Sequence, residues 1–305
     1  MNLSHLKSNL FQIRKAFFEY HQGFDYLKQR YLYAPKILKH SSPLEKPVNI
    51  DDLSIHILSC HRDIVMLCWS LASFYSVAEF SADLHIHSDG SLTRSDRDAI
   101  KRLFPSADII NPENFEALYR DNFDPYPLIK KFRFKIPKYF LMKKLIDPFF
   151  VSHKKNILII DSDLAWFRHP EKIESEIKAN CPNSLMMAYC GGVKPNYVYF
   201  KNGKRLDPKL ACMNSGIVLY NRQNFDLKLL EEYLSNIDIK NKSNIHFIEQ
   251  AGYAYCLEHL KMLPADEYII KGIPEDKTVL KHYTGPRRLQ FYTQALGLIK
   301  SCVSL

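Results

Sequence analysis

Asn156-Ile157-Leu158-Ile159-Ile160-Asp161-Ser162-Asp163 is the stretch on which the reading of this chain turns. Four apolar residues run unbroken into two aspartates separated by a serine. A short continuous run of this kind fits a strand buried on both faces, as found in parallel sheets. Open α/β sheets hold ligands beyond the carboxyl ends of their strands, which is where Asp161 and Asp163 fall. Two carboxylates held side by side repel each other and attract a divalent cation. Such oxygen ligands suit magnesium or manganese, which would in turn hold the phosphates of a substrate. Asp-x-Asp alone arises by chance on the order of once in a chain of this size, so the surrounding pattern has to carry the interpretation.

Around this stretch the chain alternates strand and helix. Strands are expected at Ile55–Cys60, Leu84–His87, Ala107–Ile110, Ser184–Tyr189 and Ile217–Tyr220. Helices are expected at Asp63–Tyr75, Arg94–Leu103, Leu227–Leu234 and Ile248–His259. Alternation of this type predicts a mostly parallel central sheet flanked by helices. Residues 1–47 read differently. Leu3, Leu6, Leu10, Ile13, Phe17, Tyr20, Phe24, Leu27 and Tyr31 follow steps of three and four, an apolar stripe along a helix or helical pair. Gly23 interrupts it, and a turn-rich linker with Pro43 and Pro47 follows. The expected organisation is a basic, amphipathic helical extension over 1–47 and an α/β domain over 48–305. The stripe fits packing on that domain, self-association, or lying on a membrane with its basic face toward headgroups.

Composition narrows the class. The 305 residues are 46% hydrophobic and 25% charged, ordinary for a soluble globular protein. No apolar run reaches the roughly 20 residues that span a bilayer, and no signal-peptide core opens the chain, so a cytoplasmic location is expected. Seven cysteines without a Cys-x-x-Cys pair suggest neither a disulfide framework nor a zinc site. The net charge of +9 concentrates in residues 1–47 and in Lys130–Lys144. No nucleic-acid module accompanies it, so a polyphosphate substrate or an anionic membrane bearing the acceptor is the expected partner.

The order of motifs resembles a nucleotide-sugar glycosyltransferase of the GT-A fold, most like glycosyltransferase family 8, over roughly residues 54–288. Ile159-Ile160-Asp161-Ser162-Asp163-Leu164 is similar to the family's metal-binding Asp-x-Asp. Lys281-His282-Tyr283-Thr284-Gly285-Pro286-Arg287-Arg288 is similar to its His-x-x-Gly-x-x-Lys element, with arginine for the usual lysine. By resemblance, Asp161, Asp163 and His282 hold manganese or magnesium, while Gly285 and Arg288 serve the diphosphate. Met213-Asn214-Ser215-Gly216 looks like the family's Asn-(Ala/Ser)-Gly element, which implies that Asn214 and Ser215 meet the donor sugar. Glu249-Gln250 is similar to an Asp-Gln pair whose acid binds sugar hydroxyls and whose amide lies under the anomeric carbon. Lys144 occupies the place of a donor-binding basic residue. His61 and Asp89, on loops after the first two strands, are candidates for the nucleotide's base and ribose.

Each element also has a bland reading: an Asp turn, a packed histidine, a tight turn into a strand, a solvated helix face at Glu249–Gln250, a solvated charge run over Lys130–Lys138. Dehalogenase-type phosphatases use Asp-x-Asp-x-Thr, but Ala165 stands at the threonine position, two residues after Asp163. Neither a P-loop nor the Gly-rich loop of nucleotidyltransferases occurs. The resemblance implies transfer of a hexose from a nucleoside-diphosphate sugar, UDP foremost, to an acceptor hydroxyl with retention, in surface polysaccharide or glycolipid synthesis. The competing readings are a sugar-nucleotide or glycan-binding module on the same fold, and a metal-dependent phosphatase or nucleotidyltransferase.

Overall fold

A computed structural model describes residues 3–189 and 198–303; Cys190 lies outside them, and the side chains of residues 3–8, Pro208 and Pro286 are not described. The strand expected before the aspartates is the middle of the molecule. Ten strands occur among the described residues: β1 (Leu53–Ser59), β2 (Asp83–Ser88), β3 (Asp108–Ile110), β4 (Asn156–Ile160), β5 (Leu164–Trp166), β6 (Ser184–Ala188), β7 (Met213–Asn221), β8 (Leu260–Met262), β9 (Tyr268–Ile269) and β10 (Leu280–His282). Seven form one sheet in the order β3-β2-β1-β4-β7-β6-β8. The β3-β2, β2-β1, β1-β4 and β6-β8 pairs are parallel, while β7 runs antiparallel to both neighbours. The sheet is therefore mostly parallel, as the sequence predicts.

Every residue of β4 is buried. Leu158 and Ile160 join the apolar cluster on one face, and Ile157 and Ile159 join the cluster on the other. That is the period-two alternation of a strand with helices on both sides. Each such side chain contributes roughly 1.5–3 kcal/mol by leaving water, and the one polar residue of the strand, Asn156 at its start, is hydrogen-bonded to Asn180 and Asn221.

Three departures from the expectation matter for the site. β7 starts at Met213, so Asn214, Ser215 and Gly216 sit within a strand rather than in a turn leading into one. The pairing of β6 with β7 shifts register between Met186 and Met187, beside these same residues. A second sheet, β5-β10-β9, lies just past the aspartates. Its strands are two or three residues long, too short for a periodicity signal.

The N-terminal stripe is not one helix. Leu3–Phe18 is helical, the chain turns at His21 with φ of 52°, and a second helix spans Gly23–Leu27 before a wider π-helical turn (Lys28–Tyr33) and a tighter 3-10 turn (Ala34–Lys39). Gly23 begins this second helix: a Cβ there would lie 2.3 Å from the Phe17 ring, so glycine permits the close return of the chain. Ala16, Tyr26, Ala34 and Ile37 are buried in the main core, and the Trp69 indole donates to the Ala34 carbonyl. The stripe itself is only partly covered; Leu10, Phe24 and Tyr31 are exposed, as are Phe11, Phe18 and Leu32.

Candidate active site

Two backbone pairings set the position of the aspartates. On one side the Asp161 amide donates to the Gly216 carbonyl of β7 at 2.9 Å. On the other, β5 begins at Leu164 and pairs antiparallel with β10, placing His282 opposite Leu164. The Tyr283 amide then donates to the Asp163 carbonyl at 2.9 Å. His282, 119 residues beyond Asp163 in the chain, is thus delivered to the aspartates by strand register.

The result is a tight cluster. His282 Nε2 lies 3.3 Å from an Asp161 oxygen and 3.0 Å from an Asp163 oxygen. Asp161, Asp163 and His282 offer ligand atoms all within 4.8 Å of one another. His282 Nδ1 meets Asn214 Oδ1 at 2.9 Å, and that oxygen also accepts from the Gly216 amide. Because the oxygen accepts, Nδ1 donates to it, and Nε2 is held against two carboxylates. Only a cation between them, a proton or a metal ion, makes that arrangement favourable. A hydrogen bond that fixes the tautomer of a ligand histidine is typical of metal sites. The donor set of two carboxylates and an imidazole fits magnesium or manganese.

Gly216 makes this approach possible. A Cβ at residue 216 would stand 2.4 Å from His282 Nδ1 and 2.9 Å from Asn214 Oδ1. The small residue here admits the histidine ring. Gly285, by contrast, has open space where its Cβ would be.

Cationic side chains flank the pair. Lys144, buried in the helix Met142–Val151, reaches Asp161 at 2.7 Å and Glu249 at 3.3 Å, and donates to the Ser215 carbonyl and hydroxyl. Burial alone would favour a neutral amine, but Asp161 and Glu249 outweigh it and hold the Lys144 pKa above its ordinary value. Arg288 contacts Asp163 at 3.0 Å and Asp63 at 2.8 Å. For Asp163, burial acts to raise the pKa; Arg288 and His282 overcome it and keep the carboxylate ionised well below the usual range. Glu249 has its pKa raised, mainly by burial, and Ser215 Oγ donates to it at 3.0 Å. Glu249 and Gln250 are both buried, which removes the reading of a solvated helix face. Asn214 Nδ2 lies 3.5 Å from Gln250 Oε1.

These groups form two layers. An open cleft of about 490 Å³ is lined by Lys144, Asp161, Asp163, Arg288, His61 and Asp89, among others. Behind it lie His282, Asn214, Ser215, Glu249 and Gln250, all buried and joined to the cleft through Asp161, Asp163 and Lys144. His61 projects at the rim and its Nδ1 bonds Asp96, the residue that closes the capping box of helix Arg94–Leu103. Asp89 caps its own turn through Ser91, where Gly90 has φ of 106°. Gly285 faces a neighbouring cavity instead.

Sequence reasoning missed Asp63 as the anchor of Arg288. Its position just past the carboxyl end of β1 was the available signal. Arg133 also departs from the solvated charge run: it forms a buried, two-pronged ion pair with Asp147, Nε donating to one carboxylate oxygen and Nη2 to the other at 2.7 Å.

No protein-family model and no curated protein matches the sequence. Among solved structures, the bifunctional glycosyltransferase WbbM in its apo form superposes with a TM-score of 0.51 at 11% identity, covering 83% of this chain and 50% of that one. This chain thus spans half the length of WbbM. Mouse xyloside xylosyltransferase 1, apo, gives 0.48 at 13% identity over 78% of this chain and 99% of that chain. The galactosyltransferase LgtC, in complex with donor and acceptor sugar analogues, gives 0.48 at 13% over 83% and 97%. The chain has the fold of the matched half of WbbM, in agreement with the GT-A architecture expected from its motifs.

Proposed function

We propose that this protein is a metal-dependent glycosyltransferase that moves a hexose from a nucleoside-diphosphate sugar, most simply a UDP-sugar, to an acceptor hydroxyl. The observation that carries the reading is His282 Nε2 held against Asp161 and Asp163, with Asn214 on the other ring nitrogen. Asp161, Asp163 and His282 would hold manganese or magnesium, which stabilises negative charge on a departing diphosphate more than on the bound donor. The sugar's bond to the diphosphate breaks, a bond to the acceptor oxygen forms, and the acceptor's proton leaves with the diphosphate. Arg288, held by Asp63 and Asp163, has a planar fork suited to phosphate oxygens. Lys144 is the second cation at that end of the cleft.

Asn214, Ser215, Glu249 and Gln250 form the polar layer that would meet the donor sugar. Glu249 is tied to Lys144 and Ser215, which suits holding hydroxyls better than taking a proton. This favours a retaining reaction, since inversion needs a carboxylate base beside the acceptor. Family 8 is the assignment most consistent with that set. His61 and Asp89 at the rim are candidates for base and ribose contacts. No helix among the described residues is long and apolar enough to cross a membrane. Exposed Leu10, Phe11, Phe18 and Phe24, with Arg14 and Lys28 nearby in sequence, suit peripheral contact with an anionic membrane and thus a lipid-linked or surface-glycan acceptor.

The test is donor turnover by purified variants. Asp161→Ala, Asp163→Ala and His282→Ala should each remove metal-dependent hydrolysis or transfer of UDP-sugar while the circular dichroism spectrum stays native. Normal turnover by the double aspartate variant would sink the assignment.

A further inference from the structure

A second cavity, about 520 Å³, adjoins the cleft and shares Arg62, Asp63, Phe140, Leu141 and Arg288 with it. Its outer wall belongs to the N-terminal segment, through Asn9, Gln12, Tyr26 and Arg30, facing Tyr292 near the carboxyl end. The lining carries three arginines, Arg30, Arg62 and Arg288, against the single carboxylate of Asp63. That carboxylate is already engaged by Arg62 and Arg288.

Arg30 is thus a half-buried cation held by neutral groups. Its guanidinium bonds the Tyr26 hydroxyl and, at 2.8 Å, Asn9 Oδ1. The rings of Tyr26, Tyr31 and Tyr292 surround it at 5.5, 5.3 and 5.6 Å. No carboxylate among the described residues comes within ion-pair distance of it. Arginine carries five N–H donors, so the fork keeps donors free for a carboxylate or phosphate. Gln12 Oε1, in the same wall, is shut from solvent and has no hydrogen-bond partner among the described residues. It is an acceptor suited to a hydroxyl. Aromatic faces, with an amide oxygen and a guanidinium that lack a hydrogen-bond donor and a carboxylate partner, respectively, among the described residues, together match a sugar that bears an anionic group.

We propose that this second cavity seats the acceptor as an anionic saccharide, its carboxylate or phosphate on Arg30, so that the N-terminal segment sets acceptor choice. The proposal rests on the glycosyltransferase reading for the word acceptor, and the saccharide site itself stands on the cavity alone.

Isothermal calorimetric titrations with glucuronate, glucose 6-phosphate, glucose and inorganic phosphate test it, with UDP plus manganese titrated in parallel. Glucuronate or glucose 6-phosphate should bind at least about tenfold tighter than glucose, and glucose 6-phosphate tighter than inorganic phosphate. Arg30→Met should abolish the preference, Arg30→Lys should keep part of it, and both should leave UDP–manganese binding at the wild-type level. If Arg30→Met does not fold, Gln12→Ala should weaken glucose 6-phosphate binding and leave inorganic phosphate unchanged. Equal binding of glucose and the charged sugars, or a charge preference that survives Arg30→Met, overturns the site. So does inorganic phosphate binding as tightly as the sugar phosphate. Wild-type protein that prefers charged sugars but ignores UDP and manganese would refute the transferase reading and leave a saccharide site.

Discussion

Replacing Gly216 by alanine should cripple cation binding without any change to a ligand atom. Gly216 does not occupy the left-handed region, so alanine is allowed by the backbone and only space decides the outcome. The new Cβ would stand 2.4 Å from His282 Nδ1, where ordinary contact begins at 3.4 Å, so the ring must retreat by about 1 Å. The same methyl crowds Asn214 Oδ1 at 2.9 Å, the oxygen that fixes the ring's tautomer. Ligand distances tolerate roughly ±0.2 Å, and losing an outer hydrogen bond to a ligand costs about 10–100-fold in metal affinity. A Gly216→Ala loss at the upper end of that range, roughly 100-fold or about 2.7 kcal/mol, is therefore expected. Overpacking should lower stability by roughly 1–3 kcal/mol as well. Calorimetric titration with manganese reads the first effect and urea unfolding the second. Gly297→Ala is the control, since its Cβ would meet nothing within 4 Å. Manganese affinity within about twofold of wild type in Gly216→Ala would refute the idea that this glycine exists to admit His282.

Other outcomes follow from the same contacts. His56 and His87 are buried in adjacent strands with ring nitrogens 2.9 Å apart, and burial lowers both pKa values, His87 to about 3. Both are neutral in the fold, so their contribution is present above the unfolded value near 6.5 and drains away as pH falls toward 3. At pH 5 the loss is about 2 kcal/mol per histidine, and urea unfolding at pH 7 and 5 should show it; equal stability contradicts it. Asp147→Asn leaves Arg133 buried without its partner and should cost roughly 3–5 kcal/mol in unfolding free energy; a change under about 1 kcal/mol would mean the pair is not buried in solution. Serine at Phe11, Phe18 and Phe24 should weaken sedimentation with phosphatidylserine vesicles and leave stability near wild type, because these rings are exposed. Deleting residues 1–47 is a poorer probe, since it strips Tyr26 and Ile37 from the core.

The sheet and the grouping of Asp161, Asp163 and His282 could be read from residue types because each has a local signature. The apolar run into Asp161 marks a strand covered on both faces, and His282, Gly285 and Arg288 keep a spacing that singles out one histidine of twelve. What escaped the sequence was pairing over long separations. Nothing local in Leu164–Trp166 or Leu280–His282 announces a strand of three residues, yet their register is what brings His282 to Asp163. Asp63 and Arg288 lie 225 residues apart, and only the fold makes them partners. In the N-terminal stripe, Gly23 marked the interruption and allowed for a helical pair, but the turn at His21 has no signature in the three-and-four spacing. Conversely, burial of Glu249 and Gln250 turned an ambiguous polar pair into part of a defined layer.

Thermal shift of the intact protein with UDP-, GDP- and CMP-sugars, with and without manganese, tests the central claim most directly. Stabilisation by one nucleotide sugar, UDP-sugar first among them, should appear only with manganese and vanish in Asp161→Ala, because a ligand that binds only the native state raises its stability by mass action. Stabilisation by the donor that is indifferent to manganese, or inertness toward every donor with the metal present, would contradict a diphosphate clamp at Asp161, Asp163 and His282.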